Sequence, residues 1–429
     1  MHHMIEAPAK KSVMEEAARL SLQLGRLLLV NGADTAQVQT AVERFAAGLG
    51  YEARLLISYE ALLLTIISGG EFRTKIGQHV AGMTVDMTAV HALNQVADGV
   101  VLGKLDADAA GVRLAAVEKG LPSYPRWLVA CALGLTAASL SWLFGGDGRV
   151  FVVSFVAGAV EILVQQQLRR WRVHPLAVTF ITALTGGCVG GLGMRLHPGA
   201  DPALCLIAPG MILVPGVPLI NGIRDALHNN MVLSLARLAS ALLVVTAIAF
   251  GLFAATVLTG VGIPTSGTNP LLPVVQDALF SALATIGYVF LFNVTARVVW
   301  ACIVCGLCSH ALRTALMHLG LDIVTGTLLG SMAAGFLAHV FARRFEAPPA
   351  TFAFPGVVAM VPGSYVFRAV IASLQIINSP GTAPASLVAQ TMSLVISTIL
   401  LTAAIAIGLA IPLSLRLTPI SSNNGHDRR

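Results

Sequence analysis

Leu213-Val-Pro-Gly-Val-Pro-Leu-Ile-Asn-Gly-Ile-Arg-Asp225 is the stretch that decides the fold. Its Val214-Pro215-Gly216 returns as Val361-Pro362-Gly363, 147 residues later. Each copy lies in an apolar segment that holds an earlier Pro-Gly, Pro209-Gly210 in the first and Pro355-Gly356 in the second. Proline removes a backbone donor and clashes with the preceding turn, so a helix breaks or kinks there. A glycine-rich stretch precedes each copy: Thr185 to Gly193 in the first, Gly326 to Gly335 in the second. Glycines at i, i+4 in these stretches let helices approach closely.

Working outward, ten apolar segments are long enough to cross a bilayer, which takes about 20 residues. They lie near 127–145, 149–167, 175–195, 203–220 and 232–259, then 271–293, 298–317, 321–341, 352–372 and 386–412. Roughly the same offset of 147 residues carries the first five onto the second five. Five is odd, so the two copies enter the membrane from opposite sides, an inverted-topology repeat. The expected fold is a polytopic α-helical membrane protein. It has ten transmembrane helices as a 5+5 inverted repeat, broken fourth and ninth helices, and an N-terminal soluble α/β domain. The expected units are 1–126 (cytoplasmic domain and linker), 127–259 and 260–429.

Composition separates the same regions. The 429-residue chain is 56% hydrophobic and 11% charged, against about 25% charged in a soluble protein. Residues 1–126 hold 25 of the 48 charged side chains, and no lysine follows Lys119. The net charge of +6 therefore belongs to arginines at membrane flanks. These arginines are dispersed and lack aromatic interleaving, which excludes a nucleic-acid patch. With the N-terminal segment inside, the inner loops carry Arg169, Arg170, Arg172, Arg224, Arg297, Arg343 and Arg344 and the C-terminal arginines. The outer loops carry fewer, so both termini are expected in the cytoplasm. No signal peptide is expected, since no short apolar region with a cleavage site opens the chain.

Within residues 1–126, Met14–Val30 reads as an amphipathic helix ended by Asn31-Gly32. Asp34 or Thr35 can cap a second helix. The stretch 51–68 reads as two strands broken near Tyr59-Glu60, and Gly69-Gly70 turns the chain. Asp86–Val101 and Ala109–Lys119 return to helical spacing. There is no phosphate loop, metal spacing or nucleophile elbow. His79 and His91 stand alone, and Glu60, Arg73 and Lys75 read as a solvated face. Gly120 to Trp127 reads as a linker into an interfacial tryptophan.

Ionisable residues at membrane depth are functional candidates. Glu161 lies about two turns from the inner end of the second span. Asn221 and Asp225 follow the first break one helical turn apart, and Asn221 maps onto Arg368 at the common offset. These four are the candidate substrate and coupling residues. Pro209, Gly210, Pro215, Gly216, Pro355, Gly356, Pro362 and Gly363 are the candidate breaks. Half-helix N-termini favour anions and freed carbonyls favour cations, a pairing that suits an amino acid zwitterion. Asp277 and Asp322 read as helix caps, and Arg237, Asn293, Arg297 and His310 complete the polar set. Cys302, Cys305 and Cys308 form a C-x-x-C-x-x-C stripe without a fourth thiolate, which reads as helix packing rather than a metal site.

The whole chain resembles the threonine/serine exporter family of bacterial inner-membrane proteins, in its fused single-chain form. The resemblance rests on Leu29-Val-Asn-Gly-Ala-Asp-Thr35, Thr84-Val-Asp-Met-Thr88 and His174-Pro175, then on Leu213–Asp225. It continues through Ala342-Arg-Arg-Phe-Glu-Ala-Pro348, Phe354-Pro-Gly and Val361-Pro-Gly-Ser-Tyr365. It implies ten spans, a cytoplasmic N-terminal domain and export of small hydroxy amino acids. A related two-subunit form is associated with dicarboxylate export. The expected function is therefore a secondary exporter of threonine, serine or similar metabolites, with H+ as the coupling ion and alternating access around the two breaks. The alternative is a dicarboxylate exporter of the same fold. A membrane-embedded enzyme lacks a catalytic constellation here, and a passive channel is the remaining reading. No cofactor or metal is expected. The partners are the small-molecule substrate and the bilayer, and matched small-residue faces suit a homo-oligomer.

Overall fold

The computed structural model describes residues 6–414 apart from 59–60, 69–70, 78–83, 197–201, 264–270 and 380. The expected Tyr59-Glu60 break and Gly69-Gly70 turn, and His79, lie outside the described residues.

Helix α1 (Glu6–Val30) ends at Gly32, which takes φ +93° and packs against the backbone of Thr84 and Val85. Helix α2 (Thr35–Gly48) follows, with Asp34 as its N-cap accepting from Gln37 N at 2.9 Å. That bond satisfies one of the orphan donors of the first turn. Strands β1 (Glu52–Ile57), β2 (Leu62–Ser68) and β3 (Glu71–Ile76) make an antiparallel sheet in that order, with Leu55 opposite Leu64 and Thr65 opposite Thr74. The third strand was not expected. Its apolar Phe72 and Ile76 are exposed, so no burial period marks it, and backbone pairing with β2 makes it a strand. Helices α3 (Met87–Val101) and α4 (Ala107–Glu118) are capped by Asp86 and Asp106. Leu24, Leu28, Phe45, Leu64, Leu93 and Leu114 meet in one apolar core.

Twelve helices follow. Five elements run α5 (Arg126–Leu143), α6 (Gly148–Arg170), α7 (Pro175–Leu196), the pair α8 (Pro202–Ile212) and α9 (Gly216–Leu227), and α10 (Met231–Thr259). Five more run α11 (Val274–Leu291), α12 (Val299–His318), α13 (Ile323–Phe345), the pair α14 (Pro349–Val358) and α15 (Gly363–Asn378), and α16 (Ala385–Ser414). Eight are individually long and apolar enough to cross a bilayer. The α8–α9 and α14–α15 pairs bend by 58° and 50°, and counting each as one span gives ten. Large apolar side chains such as Leu235, Leu242, Val257, Leu279, Val340 and Ile399 stay exposed along these helices, the pattern lipid requires. The chain is a multi-pass membrane protein.

The packing runs in parallel through the two sets. Helix α5 packs on α6 and α11, α7 on α10, α12 on α13 and α13 on α16. Thr136 of α5 donates to the Ala284 carbonyl of α11 at 2.8 Å, and a side chain at Gly287 would collide with Thr136. The first helices of the two sets are thereby held at close range.

Candidate functional site

The two breaks have the same local geometry. Pro215 sits at φ −76°, ψ 64°, and Gly216 N donates to Val214 O at 2.8 Å. Pro362 sits at φ −77°, ψ 52°, and Gly363 N donates to Val361 O at 2.7 Å. Both prolines are the centres of inverse γ-turns, whose φ of about −75° is the value the pyrrolidine ring imposes. The turns also meet each other. A Cβ on Gly216 would lie 3.3 Å from Val361 Cγ2, and one on Gly363 would lie 2.9 Å from Val214 Cγ2. Each glycine thus receives the valine of the other copy.

The earlier prolines leave matched problems that are solved differently. Pro209 cannot donate to Cys205 O, four residues back, and Pro355 cannot donate to Thr351 O. At Cys205 the α7 backbone closes in: a side chain at Gly190 would overlap that carbonyl. At Thr351 the Sγ of Cys302 on α12 donates from 3.3 Å. Cys302 therefore has a hydrogen-bonding task, and among the described residues no cluster of three metal-ligating side chains exists. Ser309 Oγ donates to Gly356 O at 3.0 Å.

The polar face of α9 is engaged from the N-terminal segment. Arg224 Nη1 pairs with Asp34 Oδ2 at 3.1 Å, and Asn221 Nδ2 reaches Gly32 O at 3.4 Å. Asp225 pairs with Arg237 of α10 at 2.7 Å, both side chains 3% exposed or less. The stretch 84–88 docks beside it. Met87 N and Thr88 N donate to Phe292 O and Asn293 O at 2.8 and 3.2 Å, and Asn293 Nδ2 donates to Asp86 Oδ2 at 3.0 Å. Asn293 holds φ +48°, a left-handed conformation that asparagine tolerates. Tyr124 adds a bond to Val294 O at 2.8 Å. A cavity of about 890 Å³ lies at the first break, between Val214–Pro218, Arg169 and Thr179 on α6 and α7, and Arg237. Val30, Thr84 and Val85 of the N-terminal segment line it too. Its volume falls in the range of small-molecule sites.

Glu161 is fully buried on α6, and neither carboxylate oxygen has a hydrogen-bond partner among the described residues. It fills the notch left at Gly186 of α7, next to Pro209. No hydrogen bond or ion pair among the described residues links it to Asn221 or Asp225. Arg368 is buried on α15, and Arg297 is exposed. Asp322 caps α13 through Val324 N and Thr325 N. Asp277 caps nothing: α11 opens at Pro273 without a side-chain cap, and Asp277 faces His310 and Arg313 of α12 instead. Two residues escaped the sequence reading. Arg224 sits among loop arginines in the charge count, and the second role of Asp34 depends on a contact 190 residues away.

Models of the threonine/serine exporter family match residues 19–259 and 277–415. A probable succinate transporter subunit of Klebsiella aerogenes is 30% identical, over 59% of this chain and 97% of its own length. That of Escherichia coli is 30% identical, over 56% and 94%. A probable threonine/serine exporter of Mycobacterium tuberculosis is 25% identical, over 82% of this chain and 69% of its own length. No solved structure matches. The chain belongs to the threonine/serine exporter family, in a form that joins both family regions in one polypeptide.

Proposed function

We propose that this member of the threonine/serine exporter family is a proton-coupled secondary exporter of small hydroxy amino acids. It would work by alternating access of two inverted five-helix halves, residues 127–259 and 260–429, around the broken fourth and ninth spans. The observation that carries this reading is the reciprocal seating of the breaks, Gly216 on Val361 and Gly363 on Val214. The N-termini of two half-helices meet there, as they do at substrate sites in inverted-repeat transporters. The protein sits in a bacterial inner membrane with both termini in the cytoplasm, in keeping with the arginine bias. It acts on a metabolite without cofactor or metal and without catalysing a reaction.

The N-terminal unit, residues 1–126, covers the inner mouth. Gly32 and Asp34 sit on Asn221 and Arg224, two residues at the inner end of the first break. In this state the inner end is shut, and export requires these contacts to open so that substrate can enter. Asn221 and Asp225 then orient substrate, with the Glu161 carboxylate, packed beside Pro209, as the alternate proton carrier.

A second reading is a dicarboxylate exporter. The 30%-identical relatives named as succinate transporter subunits favour it, and buried Arg224, Arg237 and Arg368 would meet a dianion. Counterflow of labelled threonine, serine and succinate in proteoliposomes, with and without a pH gradient, separates the two. Exchange of threonine or serine, raised by the gradient, is expected. Succinate exchange alone moves the chain to the second reading, and exchange of none of the three overturns both.

A further inference from the structure

A second buried polar cluster lies at the other end of α11 from the docked N-terminal segment. Asp277 is in the first turn of α11, and Phe292 and Asn293 follow its last. Fifteen residues separate Asp277 from Phe292, about 22 Å along a helix. Asp277 and His310 are 4% and 1% exposed. His310 Nδ1 has two charged groups within reach: Arg313 Nη2 at 3.2 Å and Asp277 Oδ2 at 3.5 Å. Arg313 Nη2 also lies 3.7 Å from Asp277 Oδ1. His310 Nε2 has no hydrogen-bond partner among the described residues.

That arrangement has two protonation-dependent forms. A neutral imidazole with its hydrogen on Nε2 offers a lone pair at Nδ1, and Arg313 can donate to it. An imidazole protonated at Nδ1 cannot accept, and the guanidinium, permanently charged, becomes a repelling neighbour. The acceptor then within reach is Asp277. One proton therefore exchanges the partner of His310 from Arg313 to Asp277. It also loosens Arg313 from the imidazole.

The other groups that could set this titration are few. On α12 itself the charged neighbour is Arg313, and on α11 it is Asp277. Helix α14, also packed on α12, has no titratable side chain. On α13 the histidine and arginines, His339, Arg343 and Arg344, stand in its last two turns, and Asp322 is occupied as its cap. Helix α5, packed on α11, contributes Arg126 and Cys131 in its first two turns.

We infer that His310, held between Asp277 and Arg313, is the site that takes up the coupling proton. The substrate-facing residues of the first break are a separate place. This rests on the proton-coupled reading above, and the experiment separates the two. Full-length wild type and His310→Gln are reconstituted in proteoliposomes. Threonine counterflow at equal pH is compared with threonine flux driven by an imposed pH gradient. Counterflow needs no net proton movement, so His310→Gln should keep it within about threefold of wild type. Its gradient-driven stimulation should fall at least tenfold. A variant that answers the gradient like wild type overturns the assignment, and so does equal loss of both fluxes, which marks a structural role. A wild type that exchanges threonine but ignores the gradient overturns proton coupling itself. Should His310→Gln fail to reach the membrane, the isosteric Asp277→Asn removes the negative charge that faces the protonated imidazole and is read by the same two fluxes.

Discussion

The two ends of the helical bundle carry ion pairs of different construction. At the end that the N-terminal segment covers, Asp225 and Arg237 are in direct contact at 2.7 Å, and Arg224 is held by Asp34 of that segment at 3.1 Å. At the other end, the separations to Asp277 are 3.5 and 3.7 Å, and a histidine stands between acid and base. The first set is in direct contact, and the second is spaced more widely around a titratable ring. The same contrast appears at the breaks. Their prolines adopt one geometry, while the freed carbonyls are met by a glycine-lined backbone in one half and by a thiol in the other.

The largest expected effect sharpens this contrast. Asp225→Ala leaves Arg237 buried without its partner and should cost about 3–5 kcal/mol. Asp277→Ala, whose partners stand farther off, should cost less than half as much. Thermal unfolding of the two purified variants in detergent checks the order, and a reversed order breaks the comparison.

The breaks come next. Gly190→Ala drives a methyl into the Cys205 carbonyl and should cost about 3 kcal/mol, as overpacking does. Cys302→Ala removes one hydrogen bond and should cost about 1 kcal/mol. Equal losses would mean that the two carbonyls are satisfied in the same way after all.

These features differ in how far the sequence reveals them. The bends fall where Val-Pro-Gly stands, because proline acts locally and needs no partner to break a helix. The caps at Asp34 and Asp86 are equally local. Strand β3 is not: its apolar residues face outward, and pairing with β2 alone makes it a strand. Nor are the charge pairs. Arg237 lies 12 residues beyond Asp225 on another helix, and Arg313 and Asp277 belong to neighbouring helices. Helical periodicity ranks faces but does not say which faces meet. Asp277 illustrates this, since a position in a first turn suits a cap as well as it suits the interhelical partner it proves to be.

A smaller effect probes the docking of the N-terminal segment on α9. Asp34→Asn keeps a good N-cap for α2 while removing the negative charge that pairs with Arg224. The loss of a charge-assisted bond should destabilise the docked form by about 2 kcal/mol. Limited proteolysis should then cut the 31–35 loop at least several-fold faster than in wild type. An unchanged rate would mean that the backbone bonds of 87–88 to 292–293 hold the segment alone.

The smallest effect lies in the N-terminal segment. The Arg26 hydrogen bond holds the Glu118 carboxyl below its ordinary range, against the opposing effect of burial. A depressed carboxylate stabilises the fold above its unfolded-state value and loses that contribution as pH falls through the folded-state value. The pair is well exposed, so Glu118→Gln should cost less than about 1 kcal/mol at neutral pH and nothing below that window. Unfolding midpoints at pH 7 and pH 3 measure the difference.

Alternating access around the seated breaks is tested most directly by a single cysteine at Val217, which is buried just behind Pro215 and lines the cavity there. Cys131, Cys188 and Cys308, the native cysteines with solvent exposure, are replaced by serine. Reaction with a membrane-impermeant thiol reagent is followed from each side of right-side-out and inverted vesicles, with and without threonine and a pH gradient. Reactivity should rise on one side as it falls on the other when substrate and gradient are applied. Reactivity confined to one side under every condition, or present on both sides at once, would contradict the account.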